Sequence, residues 1–312
     1  MSDILPKEAV DTLEQIQGKF PGYRRAHAKG DFYEAIFTPN GNATAYTFAP
    51  HLQQTPVPAT VRFSNSPPNP TAADFLSPAK GMAIHFHQPD GSISHQVCAT
   101  VPMFVTKDPK TFTDMLKILT SHKTGIHSID LGLGITQLLT TFPEHKNTLL
   151  ALKEQLKQPP ISYATLNYFP IHAFYFVNAE GKRQAIKYEW HPVKQEKSPS
   201  ILNRLNLSTD YLSEDLERRL DKGTVTFELY IRLAENTDST DDPTNVWPDD
   251  RQKILVGQLA INKKIFPTES LLFDPTIVGK GIELPDDPIL HFRHEAYAVS
   301  YNRRNKENKK TP

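Results

Sequence analysis

Between residues 32 and 100 four short β-type runs alternate with three clusters of turn residues, and that rhythm restricts the fold more than any other feature. The runs are "FYEAIFTP", "VPATVRFSN", "KGMAIHFHQ" and "SISHQVCAT"; "PNGN", "SPPNP" and "PDG" separate them. Turn chemistry of this kind joins antiparallel neighbours, so the segment reads as a meander. Further on, "HAFYFVNAEGKRQAIKYEW" reads as a hairpin turned at "NAEG", and "TVTFELYIRLAE" and "KILVGQLAIN" add two strands. The number of strands and the absence of repeats or a linker predict one α+β domain over residues 1–312, with an antiparallel sheet closed into a barrel.

Helices frame these strands. "PKEAVDTLEQIQGKF" spaces apolar residues at helical intervals and stops near Gly18. Asp108 stands where an N-cap belongs, with Pro109 in the first turn behind it. Two further helices are expected at about 127–141 and 143–157, and a last one after "LPDDP", from about 288 to 304.

Composition narrows the function classes. Thirty-five basic residues balance thirty-five acidic ones, which gives no net attraction to nucleic acid or to a membrane surface. No apolar run approaches the ~20 residues of a membrane span, and "MSDILPKEAV" has no basic stretch leading into an apolar core. The single cysteine, Cys98, rules out an internal disulfide framework and reads as a buried small hydrophobe, so a cytoplasmic location is expected.

The chemistry gathers at the two ends. "RRAHAKGDF" places Arg24, Arg25 and Lys29 around His27, in a chain of zero formal net charge. Near the other end, "FRHEAY" opens a helix on which Arg293, Tyr297, Ser300 and Arg304 fall within about 60° of one another, with Arg303 off that face. An arginine one turn from a tyrosine can hydrogen-bond the phenolic oxygen and favour the phenolate. Tyrosinate is a recognised axial ligand of haem iron, and haem's two carboxylates are anions that arginines bind bidentately. A histidine beside open iron can move a proton between the two oxygens of a peroxide.

The sequence resembles the haem catalases, in particular the short catalase-related peroxidases that keep the haem-binding core. "HAKG", "ATVRFSNSP", "VPMFVTKDPKTF", "NVWPDDRQKILVGQLAINK" and "LLFDPTIVGKGIELPDDPILHFRHEAY" carry the resemblance, in order, over about residues 20–305. It implies a catalase-like β-barrel core whose C-terminal helix bears the haem ligand. It implies haem, of the b type, with its iron held by Tyr297 and with Arg293 supporting the tyrosinate. His27 matches the distal acid–base, Ser64 the partner that sets its tautomer, and Arg24, Arg62 and Arg304 the propionate-binding arginines. The long terminal extensions of full-length catalases have no counterpart in these 312 residues, so their threaded tetramer and nicotinamide site are not implied. Thr100 occupies the place read as that of the distal asparagine, which is expected to favour peroxidase chemistry over disproportionation.

The expected function is therefore reduction of hydrogen peroxide or organic hydroperoxides with a reducing co-substrate and weak catalase activity, in a chain compatible with a homo-oligomer. Rearrangement of fatty-acid hydroperoxides and non-catalytic haem binding or sensing fit the same residues. His85 and His87 share one strand face as a metal pair could, but nothing completes the set. They are read as structural histidines, like His122, His127 and His294. "GLG" at 132–134 is too short a signal for a nucleotide site.

Overall fold

A computed structural model describes residues 4–122, 127–157, 159–194, 207–266 and 271–309. Its frame is one antiparallel sheet of nine strands: β1 (Gly30–Pro39), β2 (Val57–Asn65), β3 (Lys80–His87), β4 (Ile93–Ala99), β5 (Phe174–Val177), β6 (Arg183–Pro192), β7 (Val225–Leu233), β8 (Lys253–Ile265) and β9 (Ile282–Glu283). The spatial order is β4-β3-β2-β1-β8-β7-β6-β5-β9. The expected meander is thus β1 to β4, and β8 returns beside β1. The two-residue β9 was not anticipated, because it has no length over which alternation could register.

The sheet curls until its ends meet. Tyr168 and Trp190 exchange both backbone hydrogen bonds, at 2.8 and 3.0 Å, which continues β5 backwards along β6. The next residue, Phe169, exchanges both with Ala99 at the end of β4, at 2.8 and 2.9 Å. Closure therefore rests on one residue pair and not on a strand ladder. Inside the curl, Phe37, Phe63, Tyr168, Trp190 and Phe227 are almost completely buried and pack edge-on or tilted against one another. Trp190 Nε1 donates to Gln96 Oε1 at 2.7 Å, so the one polar atom of that ring is satisfied within the interior.

Among the described residues six α-helices surround this core: α1 (Ile4–Gln17), α2 (Pro109–Thr120), α3 (His127–Thr141), α4 (Lys146–Lys157), α5 (Tyr211–Leu220) and α6 (Pro288–Asn308). α1 stops where Gly18 takes φ +97°, and Asp108 caps α2 by accepting from Thr111 N at 2.7 Å. Residues 143–145 form a separate 3₁₀ turn ahead of α4. α5 went unanticipated although Leu212 and Leu216 seat it on the sheet. No helix among the described residues is long and apolar enough to cross a membrane. α1, α2 and α6 pack through Ala9, Leu116 and Phe292 into a satellite core beside the barrel. That packing fixes the wall of the functional site.

The histidines read as structural have partners wherever their side chains are described. His95 Nδ1 accepts Asp274 N–H at 3.0 Å, and its Nε2 meets His85 Nδ1 at 3.0 Å. His87 pairs with Thr60, His122 with Gln137, and His294 with Asp274 and Thr276. The side chain of His127 lies outside the described residues. Burial pushes His51 down to about 3 and His95 to about 4, so both stay neutral in the fold while the unfolded chain takes up protons below about 6.5. The unfolded state then binds more protons, and stability must fall as pH drops from about 6.5 towards 4, by up to about 1.4 kcal/mol per pH unit for each histidine. Melting curves at pH 7.5 and 5 should differ by about 5 °C or more. Equal melting temperatures would show that these imidazoles are not held neutral.

Candidate active site

The sheet floor of the site is a row of small residues. Gly30 faces Ser64, Ser64 faces Gly81, and Gly81 faces Ala99 across β1, β2, β3 and β4. Onto this row the loop before β1 presses His27, whose backbone takes φ +53° while its N–H donates to Ser66 O at 3.1 Å. The ring lies against Gly81: a Cβ there would stand 2.8 Å from His27 Nδ1 and 2.8 Å from Ser64 Oγ. His27 Nδ1 and Ser64 Oγ are hydrogen-bonded at 3.0 Å, which leaves Nε2 as the nitrogen free to meet a substrate. Burial first, then the charges of Arg62, Arg293 and Arg24, drive His27 down to about 3. The imidazole is therefore neutral at physiological pH.

A cavity of about 360 Å³ opens beside His27. Ala9, Val10 and Leu13 of α1, Phe112 of α2 and Phe292 of α6 give it apolar walls. The helical face read from the sequence is turned into it: Arg293, Tyr297, Ser300 and Arg304 all line the cavity. Arg303 points instead to Asp11 and Glu14 of α1. Thr100 does not line it; its Oγ accepts Lys80 N–H at 3.2 Å. The residue of that stretch in the row under His27 is Ala99, one place earlier.

A hydrogen-bonded chain stands behind Tyr297. Arg293 Nη2 donates to Tyr297 Oη at 2.9 Å, and Arg293 Nη1 donates to His172 Nε2 at 2.8 Å. A guanidinium can only donate, so the proton of His172 sits on Nδ1 and goes to Asp287 Oδ2 at 2.6 Å. The other oxygen of Asp287 caps α6 through Ile289 N and Leu290 N, at 2.8 and 3.2 Å. Neither His172 nor Asp287 was anticipated. "LPDDP" announces a helix cap, but "PIHAF" carries no local signal. Tyr168 pairs with Trp190 and Phe174 with Ile186, so two extra residues bulge out between them. Within that bulge Ile171 takes φ +56° and His172 N–H folds back to Pro170 O at 2.5 Å. The kink turns His172 out of the strand and onto Arg293.

The cations around His27 divide by role. Arg25 pairs with Glu14 and Glu307, and Lys29 with Asp74 and Asp210, so both tie elements together. Arg24 and Arg304 both donate to Leu271 O, at 2.8 and 3.2 Å. The guanidinium of Arg62 fits because Gly30 lacks a side chain; a Cβ there would stand 2.9 Å from Arg62 Cζ. Arg24 and Arg62 each lie 5.6 Å from the ring centre of Phe32. Burial, with Arg304 reinforcing it and Tyr163 opposing, lowers Arg62 to about 10. Burial and then the charges of Arg62 and Arg304 also bring Arg24 well below an ordinary guanidinium. Among the described residues neither Arg24 nor Arg62 has an ion-pair partner, and Arg62 Nε has no partner at all. Such a cluster calls for an anion.

The catalase family model matches residues 8–311 of this chain. The chain belongs to the catalase family. A catalase-related peroxidase of Mycolicibacterium paratuberculosis is 34% identical over 301 residues, covering 95% of this chain and 94% of that protein. A second, of Synechococcus elongatus, is 28% identical over 306 residues. A crystal structure of a fungal catalase has the same fold, with a TM-score of 0.81 at 21% identity, over 94% of this chain and 61% of that one. A bacterial catalase structure gives 0.75 at 23% identity, over 90% and 57%. This catalase-family chain therefore spans about three fifths of those full-length catalases.

The family implies haem, and the cavity suits it. An apolar body with two acidic arms would satisfy the apolar walls together with the buried arginines and the orphaned Arg62 Nε. Arg24, Arg62 and Arg304 would hold the carboxylates, and Tyr297 Oη would be the oxygen offered to the iron. The substitution that isolates the distal half is Gly81→Ala, because its new Cβ must displace the His27 ring or Ser64. Reaction with peroxide should slow by about 100-fold at unchanged haem content. Wild-type rates in Gly81→Ala would mean that the His27 position is unimportant.

Proposed function

We propose that this protein is a haem-dependent peroxidase that reduces hydrogen peroxide or organic hydroperoxides at the expense of a reducing co-substrate. The observation that carries the proposal is one apolar cavity holding a neutral His27 set by Ser64 and a Tyr297 set by Arg293. Haem b with its iron is the form proposed; the chain's single cysteine leaves no C-x-x-C-H sequence for covalent attachment. When bound, it supplies the centre that accepts oxidising equivalents from a peroxide. His27 Nε2 takes the proton from the near oxygen of the peroxide and returns it to the far one, so that water or an alcohol leaves. Arg293 and His172 keep Tyr297 Oη in place during this transfer.

Both curated relatives named above are called peroxidases, which favours this reading over hydroperoxide rearrangement or haem sensing. The balance between peroxidase and catalase chemistry depends on how a second peroxide is held. Ala99 occupies the sheet row beside His27 and Gly81, and a methyl group offers that peroxide no hydrogen bond. Oxidation of added donors should therefore outpace oxygen evolution.

Two measurements check this. In stopped-flow absorbance, His27→Ala should react with peroxide about 100-fold more slowly while keeping its haem. Ala99→Asn should raise oxygen evolution by ~10-fold if one hydrogen bond of about 1.4 kcal/mol is gained in the transition state. Peroxide reaction indifferent to His27, or full-speed oxygen evolution in the wild type, would refute the respective half of the proposal.

A further inference from the structure

Peroxide reduction leaves the site two electrons short, and a donor too large for an apolar cavity must be served at a distance. Of the eleven tyrosines, two line the cavity: Tyr297, assigned above to the haem, and Tyr301, one helical turn further along α6. Neither tryptophan lines it. Cys98 and Met82 do, but they are sealed, at 4% and 0% exposure. Met103 is half-buried, and a thioether is oxidised by oxygen transfer more readily than by loss of one electron.

Oxidation of a phenol by one electron also requires somewhere for its proton to go. Burial pushes Tyr163 and Tyr168 upward, and their hydroxyls are committed to Asn65 Oδ1 and Tyr163 O. Tyr33 and Tyr188 hold hydroxyls sealed from solvent. Tyr301 differs. It is half-buried, its hydroxyl has no partner among the described residues, and that oxygen is not among the sealed ones. The guanidinium of Arg304 stands 5.3 Å from its ring centre and holds the ring at the edge of the arginine cluster.

Resting on the peroxidase reading, we infer that Tyr301 is a redox relay between the cavity and a one-electron donor of the phenol or hydroquinone class. Tyr301 gives one electron to the oxidised site and its phenolic proton to water. The neutral phenoxyl radical then takes one hydrogen atom, an electron and a proton together, from the donor. Two such passages balance the reaction: one hydroperoxide and two donor molecules give one alcohol, one water and two donor radicals.

The test uses haem-loaded protein carrying ring-deuterated tyrosine, mixed with cumene hydroperoxide and freeze-quenched for electron paramagnetic resonance. A hydroquinone tethered to dextran, too large to enter the cavity, serves as donor in parallel. Wild-type protein should give a radical signal that narrows on deuteration. In Tyr301→Phe that signal should disappear and oxidation of the tethered donor should fall about tenfold, with peroxide cleavage in the first turnover still measurable. Peroxide cleavage accompanied by the same radical and the same donor rate in Tyr301→Phe would overturn the relay alone. No reaction of wild-type haem protein with the hydroperoxide would overturn the proposed function and the relay with it.

Discussion

One carboxylate, that of Asp287, holds the site to the fold. Its two oxygens do different work: one caps α6 through Ile289 and Leu290, and the other accepts the Nδ1 proton of His172. The start of the helix and the tautomer of the histidine are thereby set together. With Nδ1 engaged, His172 Nε2 can only accept, and the donor it takes is Arg293. Arg293 in turn faces Tyr297. Burial lowers His172 to about 4 against the opposing pull of Asp287, so this relay holds a neutral imidazole and a defined direction of donation at neutral pH. His172 comes from the stretch that fastens the curled sheet, and Arg293 from α6. Barrel closure and placement of Tyr297 are one structural event.

The opposite half of the site works by omission. Gly30 makes room for the guanidinium of Arg62, and Gly81 makes room for the His27 ring. The two glycines and Ala99 keep the sheet floor low enough for a histidine, three arginines and a flat apolar group to share one cavity. The electrostatic consequence is consistent. Buried cations push His27 away from protonation, and two of them, Arg24 and Arg62, short of carboxylates among the described residues, favour an acidic ligand.

The legible parts of the sequence were those with a local cause. Strand alternation and turn residues announced β1 to β4; Asp108 and "LPDDP" announced helix starts; the spacing from Arg293 to Arg304 announced a helix face and set Arg303 apart. The resemblance to catalases named His27, Ser64 and Arg62, which the fold brings to the same cavity. What stayed hidden depends on distant pairing. His172 reaches Arg293 only because two extra residues bulge between the pairs at Tyr168 and Phe174, and no local pattern reveals a bulge whose partner strand lies downstream. Ala99 ends β4 and Thr100 follows it, and only the strand register shows that Ala99 is the one beside Gly81. α5 and β9 were missed for lack of length or of a distinct boundary.

Tyr297 is the residue proposed to hold the haem iron. The most direct test of that role is the absorption spectrum of haem-reconstituted wild type beside Tyr297→Phe. The wild type should show ferric haem with phenolate-to-iron charge-transfer absorption. Tyr297→Phe should lose that absorption and retain haem less tightly, although Arg24, Arg62 and Arg304 still grip its carboxylates. Identical spectra and identical haem retention in the two proteins would contradict the account.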